Sequence, residues 1–255
     1  MEQNSCGDLV KYCGGKFRLR TEIAEELVQY IPVSNTFIDM FCGSCNIAVA
    51  LKKLNPNLNV YCNDINPYLI SMFNAVKNGW IPPDDLTEDQ WTQIKQNKDV
   101  HNPLTAFAGF GCSYGGDWFN CFARDNQTNR NFAAEAKRSI ENDRPYLEQF
   151  NYSSYDYKNY PLPKEPTLVY CDIPYYSTRK SSYLKENKIE FDYKEFYSWC
   201  ELNKAKGHTI VVSEYYNNIR ATQYNYNIIG SKCSTAHMNN IGGSGTKTIE
   251  VLIKI

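Results

Sequence analysis

The chain has 255 residues, with 27 lysines and arginines against 28 aspartates and glutamates, so its net charge is −1. This balance excludes a protein whose whole surface is positively charged, but it allows a local basic groove. The 42% of hydrophobic residues suffices for one large domain or a domain with an inserted lobe. No apolar run reaches the roughly 18 residues of a membrane span, and the N-terminus lacks the hydrophobic stretch of a signal peptide. We therefore expect a soluble intracellular protein.

The ten cysteines are scattered along the chain, and some, such as Cys62 and Cys171, lie in runs that look like buried strands. A disulfide framework is typical of small secreted domains with regularly spaced cysteines. We therefore expect most of these cysteines to be buried free thiols.

The first predicted element is an amphipathic helix over residues 19–31, which is ended by Pro32. A short strand over 36–40 then leads through a glycine turn into a helix over 46–54. A second strand ends at Asp64, and a further helix follows it. This succession predicts a right-handed βαβ unit and therefore a parallel sheet.

Residues 80–160 mix acids, glycines, aromatics and basic residues without clean alternation of strand and helix, so we expect an inserted lobe there. The regular pattern returns with a buried strand from Thr167 and a helix with Asp192 as its N-cap. The segment "HTIVVSEY" predicts another buried strand, and "TIEVLIKI" alternates with the period of an antiparallel strand. The fold predicted is α/β, with 1–79 and 161–255 forming one domain around the lobe.

The segment "DMFCGSC" places a glycine at a strand-to-helix turn, and Asp64 ends the next strand. A carboxylate in that position can accept hydrogen bonds from both hydroxyls of a ribose. The turn has no G-x-G-x-x-G pattern and no phosphate-binding lysine, which favours a nucleoside cofactor without phosphates. An ordinary α/β turn remains the alternative.

Cys42 and Cys45 form a C-x-x-C pair, a pattern that occurs both in redox-active sites and in zinc sites. The chain has no second C-x-x-C pair and its three histidines are dispersed. We therefore expect neither a metal site nor thioredoxin-like chemistry.

Two further segments favour ligand binding. "KYCGGK" at 11–16 predicts a flexible loop that could close over an anionic or zwitterionic ligand, although a solvated turn is the alternative. In "DIPY", Asp172 ends a buried strand, and Pro174 favours an extended backbone at Ile173. The Asp172 carboxylate and the Ile173 carbonyl would form a pair of acceptors for an exocyclic amino group, and Tyr175 could stack on its ring.

Taken in this order, these motifs resemble the Dam-type DNA adenine-N6 methyltransferases. The resemblance runs from about Val10 to the C-terminus and rests on "KYCGGK", "FIDMFCGSCNIAVAL", "YCNDINPYLISMFNAVKNG", "LVYCDIPYYST" and "IVVSEY". It implies a Rossmann-like methyltransferase sheet, S-adenosylmethionine as the cofactor, no metal, and double-stranded DNA as the partner.

The resemblance also implies the site residues. The implied catalytic residues are Asp172, Ile173, Pro174 and Tyr175. The implied cofactor-binding residues are Tyr12, Lys16, Asp39, Phe41, Gly43, Asp64, Ile65 and Asp172. Among them, Tyr12 and Lys16 would line the methionine end of the cofactor, and Asp64 would hold the ribose hydroxyls. Phe41 and Gly43 would form the floor of the pocket, and Ile65 would pack on the adenine.

The sequence departs from the family pattern at two positions. Ile173 stands where the catalytic motif carries a proline, which keeps the carbonyl acceptor but loosens the backbone. Cys45 replaces the second glycine of the glycine motif. If position 45 lies inside the helix, a cysteine fits there, whereas a positive φ would weaken cofactor binding.

By the resemblance, residues 80–160 would form a target-recognition lobe. The candidate DNA-binding residues are Arg124 and Arg130 in the lobe and Arg179 and Lys180 after the catalytic motif. For each pair, a solvated charged surface is the alternative.

The sequence thus predicts methyl transfer from S-adenosylmethionine to N6 of an adenine flipped out of DNA. The alternatives are cytosine N4, adenine in RNA, an impaired DNA-binding relative, and a nucleotide-dependent oxidoreductase that uses the C-x-x-C pair. We expect a cytoplasmic monomer or weak dimer, in a bacterium or a phage-infected cell. Restriction protection, immune evasion and regulation are equally compatible with the sequence.

Overall fold

A computed structural model describes residues 16–125, 130–175, 181–215, 227–235 and 247–255. The strands are β1 (Thr36–Asp39), β2 (Asn59–Asn63), β3 (Asn151–Ser153), β4 (Leu168–Asp172), β5 (Thr209–Tyr215), β6 (Asn227–Thr235) and β7 (Lys247–Lys254). The helices are α1 (Arg20–Val28), α2 (Asn46–Leu54), α3 (Pro67–Lys77), α4 (Glu88–Asn97), α5 (Pro103–Ala106), α6 (Phe132–Leu147), α7 (Ser182–Glu186) and α8 (Tyr193–Ala205).

The strands form one seven-stranded sheet in the order β3-β2-β1-β4-β5-β7-β6. The pairs from β3 to β5 are parallel, whereas β7 is antiparallel to both β5 and β6. The strand order reverses between β1 and β4, and ligands of open α/β sheets bind at such a switch point. This mostly parallel sheet with antiparallel C-terminal strands has the Rossmann-like arrangement that the family resemblance implies.

The central strands are buried on both faces, which explains their nearly continuous apolar sequences. Phe37, Leu168 and Val211 belong to one apolar cluster, whereas the next residue in each strand belongs to a cluster on the opposite face. The first cluster also contains Trp91 and Ile140 from the range 80–160. One core therefore supports both the sheet and much of that range.

The predicted βαβ unit is confirmed, and α2 has the bounds that the sequence predicts. Asn66 caps α3, since its side-chain oxygen accepts a hydrogen bond from Tyr68 N at 3.1 Å. The antiparallel β7 is confirmed too. A second antiparallel strand, β6, was missed because its sequence, NIIGSKCST, is largely polar and contains Gly230, next to which the register shifts.

The division of the chain into 1–79 with 161–255 and an inserted lobe at 80–160 stays a prediction. Within that range, β3 pairs with β2 and so extends the main sheet. Asp117 links the range to the segment after the catalytic motif, because its carboxylate accepts hydrogen bonds from Ser182 N at 2.8 Å and Ser182 Oγ at 2.7 Å.

The structure also describes the state of the cysteines and tests for helices that could span a membrane. The cysteines Cys42, Cys45, Cys62, Cys112, Cys171 and Cys200 are buried free thiols, and Cys121 is an exposed one. Within the described ranges, no helix combines the length and the apolar character needed to cross a membrane.

A buried ion cluster joins α6 to α1 and α2. Asp143 accepts a hydrogen bond from Lys53 Nζ at 2.6 Å and lies 3.5 Å from Arg20 NH1. Its side chain is 2% exposed. Removing one partner of such a cluster leaves charge uncompensated in the core, which costs far more than breaking an exposed ion pair.

We therefore expect Asp143→Ala to lower the free energy of unfolding by about 3 kcal/mol. Urea denaturation of the two proteins measures this difference. Glu135→Ala is the matched control, because it removes the exposed partner of Arg130 and should change stability by about 1 kcal/mol or less. Equal effects of the two substitutions would contradict the assignment.

Candidate functional site at the carboxyl ends of β1, β2 and β4

Three aspartates meet where adjacent parallel strands end. Asp39 is the last residue of β1, Asp172 is the last residue of β4, and Asp64 directly follows β2. Because β1 lies between β2 and β4, the strand order brings the three carboxylates to one edge of the sheet. This is the edge at which an open α/β sheet binds ligands.

The glycine turn holds the Asp64 carboxylate in place. Gly43 has a positive φ of 45°, and its N–H donates to Asp64 Oδ2 at 2.9 Å. Asn66 N donates to the other oxygen, Oδ1, at 2.8 Å. Both oxygens are thus oriented by backbone donors, so the carboxylate is preorganised to accept further hydrogen bonds.

Burial shifts the pKa of two of these aspartates. Burial raises the pKa of Asp64 to about 6, against the opposing effect of the hydrogen bonds from Asn66 and Gly43. Burial, together with the charges of Asp172 and Asp64, raises the pKa of Asp39 well above its usual value. Asp39 Oδ1 is buried without a hydrogen-bond partner among the described residues.

Lys16 forms an ion pair with Asp172 inside the site. Its ammonium donates to Asp172 Oδ1 at 2.8 Å, and their side chains are 9% and 20% exposed. Burial lowers the pKa of Lys16, but the charges of Asp172 and Glu250 outweigh this effect and the pKa is raised overall. Lys16 is therefore a protonated ammonium in contact with the predicted catalytic carboxylate of Asp172.

Glu250 on β7 is a site residue that the sequence analysis missed. It accepts hydrogen bonds from the Tyr175 hydroxyl and from Ser213 Oγ, the latter at 2.6 Å, and it lies 3.5 Å from Lys16 Nζ. Burial raises its pKa, against the effect of Lys16. The sequence did contain a sign of this role. Glu250 is two residues from Leu252 on a predicted strand, so it shares a face with a buried apolar residue.

These groups make the site negatively charged. Four carboxylates, on Asp39, Asp64, Asp172 and Glu250, are buried or half-buried around a single described ammonium, that of Lys16. Buried carboxylates repel phosphate and favour a ligand with positive charge and hydroxyl donors. The arrangement therefore suits a cationic nucleoside better than a dinucleotide.

The other residues of the "DIPY" segment lie close to these groups. Ile173 is buried, and the Pro174 carbonyl accepts a hydrogen bond from the Tyr193 hydroxyl at 2.7 Å. Tyr175 is 7% exposed, and Lys16 Nζ lies 4.5 Å from the centre of its ring. In this state the ammonium occupies a face of the ring that was predicted to stack on a base.

The remaining predicted cofactor residues differ in their surroundings. The ring of Phe41 lies 5.8 Å from that of Tyr157 and 5.9 Å from that of Phe191, measured between centroids. Ile65 is half-buried directly after Asp64. Tyr12 lies outside the described residues.

The predicted DNA-binding arginines of the lobe are engaged in exposed ion pairs. Arg124 pairs with Glu88, and Arg130 binds both oxygens of Glu135 at 2.7 and 2.6 Å. Exposed ion pairs of this kind each contribute about 0–1 kcal/mol to stability. A DNA phosphate could therefore replace the glutamate partner at little cost in free energy. Arg179 and Lys180 lie outside the described residues.

Cys45 adopts a left-handed backbone conformation with φ 58° and ψ 17° at the N-cap of α2. The sequence left two possibilities for this position, and the structure has the one with positive φ. A residue with a Cβ atom is strained in this conformation, by about 1–2 kcal/mol relative to glycine.

Comparison with known proteins relates part of the chain to a family of DNA methyltransferases. The sequence model of the D12 class N6 adenine-specific DNA methyltransferases matches residues 12–108. This range contains the glycine turn and Asp64 but ends before Asp172. An uncharacterized protein of Mycoplasma pneumoniae, the MG259 homolog, is 42% identical over 57 residues, which are 20% of this chain. The match covers only 13% of that protein's length.

The strain at Cys45 is testable with a pair of substitutions that both remove the thiol. We expect Cys45→Gly to be more stable than Cys45→Ala by about 1 kcal/mol, because only glycine is free of the left-handed penalty. Urea denaturation of the two variants measures the difference. If the alanine variant is at least as stable, position 45 does not have the positive φ.

Proposed function

We propose that the chain is a member of the D12 class of N6 adenine-specific DNA methyltransferases, whose sequence model matches residues 12–108. We further propose that it transfers a methyl group from S-adenosylmethionine to N6 of an adenine flipped out of double-stranded DNA. The observation that carries the proposal is the negatively charged site at the ends of β1, β2 and β4, beside the glycine turn. Asp172, which ends the "DIPY" strand, is part of it.

The cofactor fits the charge and the donors of this site. S-adenosylmethionine carries a positive sulfonium and ribose hydroxyls but no phosphate. Asp64 would accept the ribose hydroxyls, since both its oxygens are already held by backbone N–H groups. Phe41 and Gly43 would line the pocket floor, Ile65 the adenine, and Tyr12 and Lys16 the methionine end.

The target amine would be held by Asp172 and by the Ile173 carbonyl. Two acceptors that draw on both N–H groups favour a pyramidal nitrogen, whose lone pair can then attack. When bound, the cofactor supplies an electrophilic methyl group. Since adenine N6 is a weak base, its proton would leave after transfer, towards Asp172 or water. Most of the acceleration would come from positioning and electrostatics.

Entry of the base would require a change at Lys16. Its ammonium lies against both Asp172 and the ring of Tyr175, the two groups that would bind the flipped adenine. Lys16 would move towards Glu250 or the cofactor carboxylate, which frees Asp172 Oδ1 for the amine. Flipping itself costs a few kcal/mol, offset by stacking and hydrogen bonds in the pocket.

DNA contacts are assigned to residues 80–160 and to the segment after Tyr175. Arg124 and Arg130 would exchange their exposed glutamate partners for phosphates, and Arg179 and Lys180 would bind phosphates beside the flipped nucleotide. We place the reaction in the cytoplasm, where both DNA and cofactor are available in a bacterial or phage-infected cell.

The rival functions differ in what the site must bind. Cytosine N4 and adenine in RNA also present an exocyclic amine, so the acceptor pair does not separate them from adenine in DNA. A dinucleotide-dependent oxidoreductase is disfavoured, because its diphosphate would lie among buried carboxylates.

Methyl transfer to unmethylated duplex DNA tests the function, with tritiated S-adenosylmethionine and identification of the labelled nucleoside. We expect label in N6-methyladenine and a loss of about 100-fold or more in rate for Asp172→Asn. Glu148→Gln is the control, since this exposed residue pairs only with Arg144 among the described residues. Label in another nucleoside would replace the proposed substrate, and cofactor binding without transfer would indicate an impaired relative.

The raised pKa of Asp64 predicts a pH dependence of cofactor binding. Ribose hydroxyls donate to the ionised carboxylate, so affinity should be full well above the pKa of about 6 and fall as pH drops through it. Below that pH we expect a loss of up to about tenfold per pH unit. Calorimetric titration with S-adenosylhomocysteine measures it, and Asp64→Asn should remove the dependence. If the affinity of Asp64→Asn falls with pH as steeply as that of the wild type, Asp64 is not the group responsible.

A further inference from the structure

Three cysteine thiols lie together beneath the glycine turn. Cys42 belongs to the turn, Cys45 is the N-cap of α2, and Cys62 lies on β2. All three are buried, and their Sγ atoms lie within 4.8 Å of one another. The sequence analysis considered only the C-x-x-C pair, because the pairing of β2 with β1 is what brings Cys62 to it.

Cys45 occupies a position where its residue type is unfavourable. The left-handed conformation favours glycine there, and glycine is what the Dam-type pattern carries. The residue that replaces this glycine is also the residue that completes the cluster. Backbone strain of this kind is concentrated at functional sites in proteins.

We propose that Cys42, Cys45 and Cys62 form a binding site for a thiophilic divalent cation of the zinc class, with the three sulfurs as ligands. Zinc–sulfur bonds are about 2.3 Å long, so two sulfurs on one tetrahedral ion lie about 3.8 Å apart. The observed separations of up to 4.8 Å would contract by about 1 Å or less, within reach of small side-chain rotations.

Binding exchanges protons for the cation and involves no redox step. Each thiol that coordinates loses its proton to solvent, and the ion gains one sulfur–metal bond per ligand. The fourth position of a tetrahedral ion is left for water or another donor. Since Gly43 lies between two of the ligands and Asp64 lies two residues after the third, a bound ion would brace the turn that orients the Asp64 carboxylate.

The full-length protein, reduced anaerobically and freed of metal with a chelator, would be titrated with Cd²⁺ alone. The ultraviolet charge-transfer band of cadmium thiolate reports sulfur ligation, and native mass spectrometry gives the stoichiometry. Cys45→Gly removes one ligand while relieving the backbone strain, so its fold should survive. Cys62→Ala is the second test variant, and Cys112→Ser controls for a buried thiol outside the cluster.

We expect one Cd²⁺ per wild-type chain, an affinity lowered more than about 100-fold in Cys45→Gly and Cys62→Ala, and a wild-type affinity in Cys112→Ser. Absence of the band in the wild type would overturn the proposal. So would a band that survives both cluster substitutions, or one that is lost equally in the Cys112→Ser control. None of these readouts depends on methyl transfer, so the two proposals fail independently.

Discussion

The constraint on which the site depends is the burial of several carboxylates around one described ammonium. Moving an ionised carboxylate out of water costs several kcal/mol unless donors or counter-charges compensate it. Asp64 is compensated by two backbone N–H groups, Asp172 by Lys16, and Glu250 by Lys16, Ser213 and Tyr175. Asp39 is the least compensated, and its raised pKa reflects this. The remaining excess of negative charge is what led us to propose a positively charged cofactor.

The sheet is what gathers these groups. The reversal of strand order between β1 and β4 leaves the ends of those strands open to a ligand, and apolar packing on both faces fixes their positions. The antiparallel β7 then brings Glu250 beside Tyr175, although the two are 75 residues apart in the chain. The βαβ unit contributes Asp39 and Asp64 to the site, and the later strands β4 and β7 contribute Asp172 and Glu250.

Local patterns predicted the parallel part of the fold well, because the information lies in short segments. The bounds of α2 and the cap of α3 follow from residues next to each other, such as Asn66 and Pro67. Asp64 and Asp172 could be placed together because strand ends in a parallel sheet meet at one edge, whereas Asp39 was named only through the family resemblance. What the sequence could not supply was the pairing of distant elements. The roles of Glu250 and Cys62 depend on which strands become neighbours, and the polar sequence of β6 hid that strand altogether.

Cys45 can be interpreted in two opposite ways. As a replacement for glycine, Cys45 strains the turn, whereas as the third thiol of the cluster it would be a ligand of the proposed cation. Only the backbone angle and the location of Cys62 distinguish the two, and neither is visible in the C-x-x-C spacing. The same residue, Cys45, therefore accounts for both the backbone strain and the completion of the thiol cluster.

A crystal structure of the chain with S-adenosylhomocysteine tests the central claim most directly. The account predicts the ligand at the ends of β1, β2 and β4, with its ribose hydroxyls within hydrogen-bond distance of Asp64 and the Gly43 N–H still bound to that carboxylate. It also predicts Asp172 beside the thioether, where the methyl group would be. A ligand bound elsewhere, or a ribose that makes no contact with Asp64, would contradict the account.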